Sequence, residues 1–338
     1  EARRLLAEGV DPSAQRKAAR AAQTEAVENT FAAVAREWYD TRHRHEVVES
    51  HATRNWRRLE RHTFPTLATR PVAELEPQEV LQSLRRIEAR GYLETAQRVR
   101  ALIGQVFRYA VATGRARRDI TVDLREALRT PDKKHHAAIT EPDEIGALLN
   151  AVDGYGGEPT TRAALQLAPL VFTRPGDLRQ LKWEDLDIEA AEWRLPTTKN
   201  GEPLIVPLTA QAIGILSEME PLTGKQTYVF ASNRSRGRPM SNMTLNAALR
   251  RLGYGGHVIT AHGFRAMART VLVERLRYPV ELVEMQLGHR VRDVHGRAYN
   301  RTQWLDDRQE MMQAWADYLD CLRGVSNHTS GAGLGRSR

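Results

Sequence analysis

One cysteine, Cys321, stands in 338 residues. It excludes an internal disulfide framework and any zinc site built from several thiolates, and it fits a reducing compartment. No apolar run approaches the ~20 residues of a membrane span, and no signal peptide is recognisable, so the reading is a cytoplasmic protein without membrane partners. Aromatic residues are sparse at 6%. Lysine is scarcer still: of 50 Lys and Arg only six are lysine (Lys17, Lys133, Lys134, Lys182, Lys199, Lys225), which leaves 44 arginines and a net charge of +8. A codon bias toward arginine explains that split, and so does phosphate recognition, because guanidinium contacts phosphate through two parallel donors. Charge alone does not choose between them. The length predicts two or three domains.

What is present is mostly helical periodicity. Residues 1–28 are Ala/Arg/Glu-rich and broken at Gly9-Val10-Asp11-Pro12, where Asp11 can cap and Pro12 can begin a helix; they read as a linker helix. Residues 29–130 place apolar side chains at three- and four-residue spacing (Phe31, Val34, Ala35, Trp38; Leu81, Leu84, Ile87; Val99, Leu102, Ile103, Val106, Phe107), which predicts an all-α domain of four or five helices. Arg54, Arg57, Arg58, Arg98 and Arg100 lie on its polar faces. They fit a DNA-facing surface and a merely solvated one equally. Residues 131–139 read as an interdomain linker whose His135-His136 pair is more simply solvated than metal-binding.

The second domain, 140–324, opens with Glu141-Pro142-Asp143-Glu144, a helix start with acidic residues in its first turn. Strand-like pieces at Leu186–Ile188, Trp193–Leu195 and Leu204–Val206, with an Asn200-Gly201 turn, predict a small three-stranded antiparallel sheet inside a mainly α, mixed α+β domain. Helices are expected over 210–219, 241–252, 262–277, 279–287 and 305–322. The Gly/Ser-rich residues 325–338 read as a disordered tail.

Four polar islands interrupt the apolar helices. In the first, Thr173-Arg174-Pro175-Gly176-Asp177, Thr173 can cap a helix begun by Pro175, and Asp177 can orient Arg174; the same pair can equally be a structural salt bridge. In His262-Gly263-Phe264-Arg265, imidazole and guanidinium share one helix face and can donate to one phosphate. Leu287-Gly288-His289 ends a helix at glycine. The fourth, Ala298-Tyr299-Asn300-Arg301, offers a tyrosine, for which Tyr254, Tyr278 and Tyr318 are competitors.

The order Arg, Lys, HxxR, LGH, Tyr resembles the tyrosine recombinase family, and in particular phage-type integrases of prophages and genomic islands. The resemblance implies a helical core-binding domain followed by a catalytic domain, and makes the linker helix around Glu8-Gly9-Val10-Asp11-Pro12 the end of a missing N-terminal arm-binding domain. Carried over residue by residue, it makes Arg174, Lys199, His262, Arg265 and His289 catalytic, Asp177 supporting and Tyr299 the nucleophile. Thr173 stands where relatives often have Gly, and Leu204 where they often have His. The implied activity is cleavage and rejoining of double-stranded DNA through a 3′-phosphotyrosine, with no metal or other cofactor. The implied partners are attachment-site DNA, three further copies in a synaptic tetramer, and accessory DNA-bending or excision factors. A topoisomerase-like relaxing enzyme shares the nucleophile chemistry but not the separate core-binding domain. A decayed, purely DNA-binding protein is the other alternative, although every matched position holds a competent residue. The apolar side of 305–322 (Met311, Met312, Trp315, Leu319, Leu322) fits packing on its own domain or docking into a neighbouring copy.

Overall fold

The computed structural model describes residues 29–131, 137–197, 201–233, 235, 237–289 and 304–324. They form two compact units, one on each side of segment 132–136. The linker helix, the His135-His136 pair and the tail lie outside the described residues, as do Lys199 and Tyr299.

The first unit holds four helices of eight residues or more among the described residues: α1 (Phe31–Trp38), α2 (Glu49–His62), α3 (Pro77–Glu88) and α4 (Leu93–Ala112). Thr30 caps α1 by accepting from the Ala33 amide, and Glu76 with Glu79 forms a reciprocal capping box on α3, where Pro77 occupies the first helical position. The apolar residues picked out by helical spacing close the core: Phe31, Val34, Trp38, Leu84, Ile87, Val99, Ile103, Val106 and Phe107 are all buried. Leu81, from the same pattern, is packed only against its edge.

The second unit contains α5 (Pro142–Asp153), α6 (Pro159–Val171), the single turn α7 (Pro175–Leu178), strands β1 (Leu186–Asp187), β2 (Glu192–Leu195) and β3 (Leu204–Pro207), then α8 (Ala210–Thr223), α9 (Thr244–Arg251), α10 (Gly263–Glu274), α11 (Val280–Gln286) and α12 (Leu305–Arg323). The sheet is antiparallel in the order β1-β2-β3, with Trp193 opposite Leu186 and Val206. Helix α6 is the hub, packing against α5, α8, α9, α10 and α12. It is apolar nearly all round, with ten of its thirteen residues buried, as a central helix must be.

Helix α12 packs on its own domain. Met311, Met312, Trp315 and Leu319 are fully buried, and the Trp315 indole donates to the Pro169 carbonyl at 2.8 Å. Close seating against α5 requires Gly146, because a Cβ there would run into the Leu322 backbone carbonyl.

Candidate active site

Helix α6 ends at Phe172, whose backbone is left-handed (φ 33°, ψ 36°) although its ring is fully buried. That conformation costs about 1–2 kcal/mol for a side chain with a Cβ. It reverses the chain so that Arg174 emerges at the start of α7. The capping expected of Thr173 does not occur: Arg174 is itself the N-cap residue, and Thr173 lies one position earlier with its hydroxyl buried and without a hydrogen-bond partner. The reason is Pro175. With proline at the first helical position, the preceding residue is held extended (φ −65°, ψ 139°) and becomes the cap by geometry. Because α7 is one turn long, the positive character of this corner comes from guanidinium groups rather than from aligned peptide dipoles.

Arg265 is buried, with 6% exposure, on the first turn of α10. Its guanidinium donates through Nη1 to the Phe172 carbonyl (2.9 Å) and through Nη2 to the Leu287 carbonyl (2.7 Å). It therefore holds the left-handed corner beside Arg174 and the end of α11 at once. Burial, followed by repulsion from Arg174, lowers its pKa to about 10, while Asp177 and Glu284 pull the other way. Asp177 sits 4.0 Å from Arg174; burial raises its pKa, against the opposing charges of Arg174 and Arg265. Two guanidinium groups that repel each other, with one nearby carboxylate disfavoured by burial, make a site that an oxyanion would relax.

Helix α11 ends in a Schellman motif. The Gly288 amide donates to Met285 O and the His289 amide to Glu284 O, with Gly288 at φ 64°. A Cβ on Gly288 would stand 3.3 Å from Leu204 Cδ2 and 3.7 Å from Arg174 Nη1, so this turn closes against both β3 and the first arginine. His289 follows, its Nε2 3.5 Å from Arg265 Nη2 and its Nδ1 2.5 Å from the Glu284 carboxylate. His262 is half-buried at the N-cap of α10, three residues before Arg265.

The structure thus brings Arg174, Asp177, Arg265 and His289 together and sets His262 one turn from Arg265. The three competing tyrosines are otherwise engaged. Tyr254 and Tyr278 pack against the core, and burial followed by a nearby glutamate (Glu144 and Glu310 respectively) raises their pKa values, away from phenolate. Tyr318 stacks on Trp315. Two participants, Glu284 and Arg269, carry no motif that marks them in the sequence. Arg269 Nε donates to Glu284 Oε1 at 2.6 Å. Among the described residues no three His, Cys, Asp or Glu side chains gather as metal ligands.

In the first unit, Arg54, Arg58 and Arg98 share one face of α2 and α4. Burial and then the Arg98 and Arg54 charges lower the pKa of Arg58. Arg57 is exposed on the same helix, α2. Arg100 belongs elsewhere: it donates to Thr121 O and lines a separate cleft of about 260 Å³ with Arg108, Asp119 and Arg125.

Residues 31–127 match the phage integrase central domain, and residues 139–304 match the phage integrase family. The chain is 34% identical to prophage integrase IntA of Escherichia coli K12, across 94% of this chain and 77% of that one. It is 33% identical to the integrase of Enterobacteria phage P4, across 96% and 76%. Its fold matches that of a lambda integrase dimer bound to a COC′ core site with a TM-score of 0.63, at 18% identity, covering 81% of this chain and all of that one. A lambda integrase tetramer bound to a Holliday junction also matches, at 0.63, 16% identity and coverage of 81% and 80%. A mainly helical protein with a small antiparallel sheet and a paired-arginine site is thereby placed among integrases. The chain belongs to the phage integrase family and is a tyrosine site-specific recombinase.

Proposed function

We propose that this recombinase integrates and excises a mobile genetic element by cleaving double-stranded DNA at attachment sites and rejoining it through a 3′-phosphotyrosine on Tyr299. The observation that carries the reading is the pairing of Arg174 with the buried, electrostatically strained Arg265 beside His289. A phosphodiester held there neutralises both guanidinium groups, and they in turn stabilise the extra charge of the pentavalent transition state. This electrostatic role is one that a metal fills in other phosphoryl-transfer enzymes, so the scheme invokes neither metal nor ATP.

In the scheme Tyr299 Oη attacks phosphorus, the P–O5′ bond breaks, and the 5′-oxygen leaves as a hydroxyl. The phenol, with an ordinary pKa of about 10, must lose its proton, and the departing oxygen must gain one. Lys199, on the segment joining β2 to β3, serves as the acid, because arginine holds its protons too tightly for that step. His262 assists the loss of the phenolic proton. His289 donates to a non-bridging oxygen, and Asp177 supports Arg174. The ester keeps the bond energy, so attack by a 5′-hydroxyl from another strand reseals the DNA.

Arg54, Arg57, Arg58 and Arg98 are the proposed phosphate-contacting face of the first unit. Such contacts release counterions, so specific binding should weaken steeply with salt. The tetramer on a Holliday junction among the structural neighbours supports a four-copy synaptic assembly; accessory bending or excision factors and action on bacterial DNA in the cytoplasm complete the proposed scheme. The test is a nicked suicide duplex carrying the element's core site, incubated in EDTA. A protease-sensitive covalent adduct is expected from the parent and none from Tyr299→Phe; no adduct from the parent would overturn the reading.

A further inference from the structure

His289 is joined to Glu284 twice. The Schellman turn takes its backbone amide to the Glu284 carbonyl at 3.0 Å, and the ring Nδ1 meets the Glu284 carboxylate at 2.5 Å. The other carboxylate oxygen accepts from Arg269 Nε at 2.6 Å. Arg269 stands one turn beyond Arg265 on α10, and Arg265 Nη2 faces His289 Nε2 at 3.5 Å. Arg265, His289, Glu284 and Arg269 therefore form a closed frame between two helices.

The frame constrains where the ring's proton sits. A carboxylate only accepts and a guanidinium only donates, so both neighbours favour the tautomer with hydrogen on Nδ1 and the lone pair on Nε2. The carboxylate is well suited to this: burial alone would raise the Glu284 pKa, but the hydrogen bonds from His289 and Arg269, with the Arg269 charge, bring it below the ordinary value. An unsupported imidazole with 47% of its side chain exposed could turn about its χ angles. This one is fixed at both Nδ1 and the backbone.

We infer that Glu284 is the positioning residue for His289: anchored by Arg269, it fixes the Nδ1–H tautomer and aims Nε2 at the oxyanion held by Arg174 and Arg265. With a second proton, supplied by the buffer acid of the surrounding solvent, Nε2 offers an N–H to a non-bridging phosphate oxygen, and the Glu284 carboxylate balances the ring's charge. This role rests on the proposed phosphoryl-transfer reading. Carboxylate partners of functional histidines in metal sites are worth 10–100-fold, and the same scale is expected here.

The test uses the full chain and two independent readouts. In long-range ¹H–¹⁵N spectra of free, ¹⁵N-histidine-labelled protein, with the His289 signal assigned by its loss in His289→Ala, the parent should show the Nδ1–H tautomer and Glu284→Gln a mixture. On the nicked core-site duplex, Glu284→Gln should slow adduct formation roughly 10- to 100-fold while DNA affinity stays within about twofold. The Glu284→Gln/His289→Ala protein should be no slower than His289→Ala alone, because the two act as one unit. Arg269→Gln keeps the carboxylate but loosens it, so it should give a smaller slowing, also absent on the His289→Ala background. Multiplicative slowing in the double variant, an Nε2–H ring in the parent, or an unchanged rate in Glu284→Gln would overturn the assignment. A parent that forms no adduct yet shows the Nδ1–H ring would refute the recombinase scheme at this site, and with it the positioning role of Glu284 in that chemistry, leaving a structural ion pair.

Discussion

Replacing Arg265 by lysine separates two tasks that arginine performs together. In the free protein its fork satisfies two carbonyls, Phe172 O and Leu287 O, at 2.9 and 2.7 Å in a site only 6% exposed. A single ammonium at the end of a flexible stem lacks the fixed fork that reaches both. The carbonyl left without a donor costs about 1–3 kcal/mol. The left-handed turn at Phe172 loses the bond that holds it, and the repulsion from Arg174 is not relieved, because lysine keeps the positive charge. For a domain of this size each kcal/mol moves the melting temperature by about 2–4 °C, so the Arg265→Lys chain should melt roughly 3–8 °C below the parent. Arg174→Lys is the control: its contact with Asp177 is a 4.0 Å ion pair, and it should lose activity with a shift of less than about 3 °C. Circular-dichroism melts in phosphate-free buffer, alongside suicide-substrate rates, measure both. If Arg265→Lys melts with the parent while cleavage falls, the carbonyl bonds do not hold the site together and Arg265 has no structural role beside its chemical one.

Gly288→Ala would place a Cβ at φ 64°, 3.3 Å from Leu204 Cδ2, at a strain of about 1–2 kcal/mol. Because His289 is the next residue, cleavage should fall by roughly tenfold or more with a melting shift of only a few degrees; a variant that loses stability but keeps its rate would contradict this. Gly146→Ala should destabilise by about 1–3 kcal/mol although alanine is ordinarily the better helix former, since its methyl meets the Leu322 carbonyl. A denaturant titration showing stabilisation would mean that α12 does not seat as described. In the first unit His43 and His62 both have lowered pKa values, by burial first, then by His51 for His43 and by Arg61, Arg90 and Arg58 for His62. Below about pH 6.5 the unfolded chain takes up protons that these folded rings resist, so melting of this unit should fall between pH 7.5 and 5.5 and flatten in His43→Gln. A melting temperature that rises as the pH drops would refute the sign.

Residues whose roles depend on near neighbours are legible in the amino-acid order alone. The strands, the HxxR spacing and the glycine that ends α11 are written in local periodicity, and Gly288 adopts the left-handed turn that its motif needs. Roles that depend on chain crossings are not legible. Nothing local tells that Arg265 ties Phe172 to Leu287, residues 93 and 22 positions away, or that Arg269 reaches Glu284 fifteen residues on. Arg98 and Arg100 look alike along the chain, but two positions on a helix are about 200° apart, and they face different neighbours. Thr173 misleads because a good capping side chain stands one residue ahead of the position that Pro175 turns into the cap.

The catalytic scheme stands or falls on whether a phosphodiester held by Arg174 and Arg265 is attacked by Tyr299. Mass spectrometry of the covalent adduct trapped on the nicked duplex decides it, after digestion of protein and DNA to a peptide bearing a residual nucleotide. The nucleotide should sit on Tyr299 through its 3′-phosphate. A nucleotide on Tyr254, Tyr278 or Tyr318, or attachment through a 5′-phosphate, would contradict the scheme.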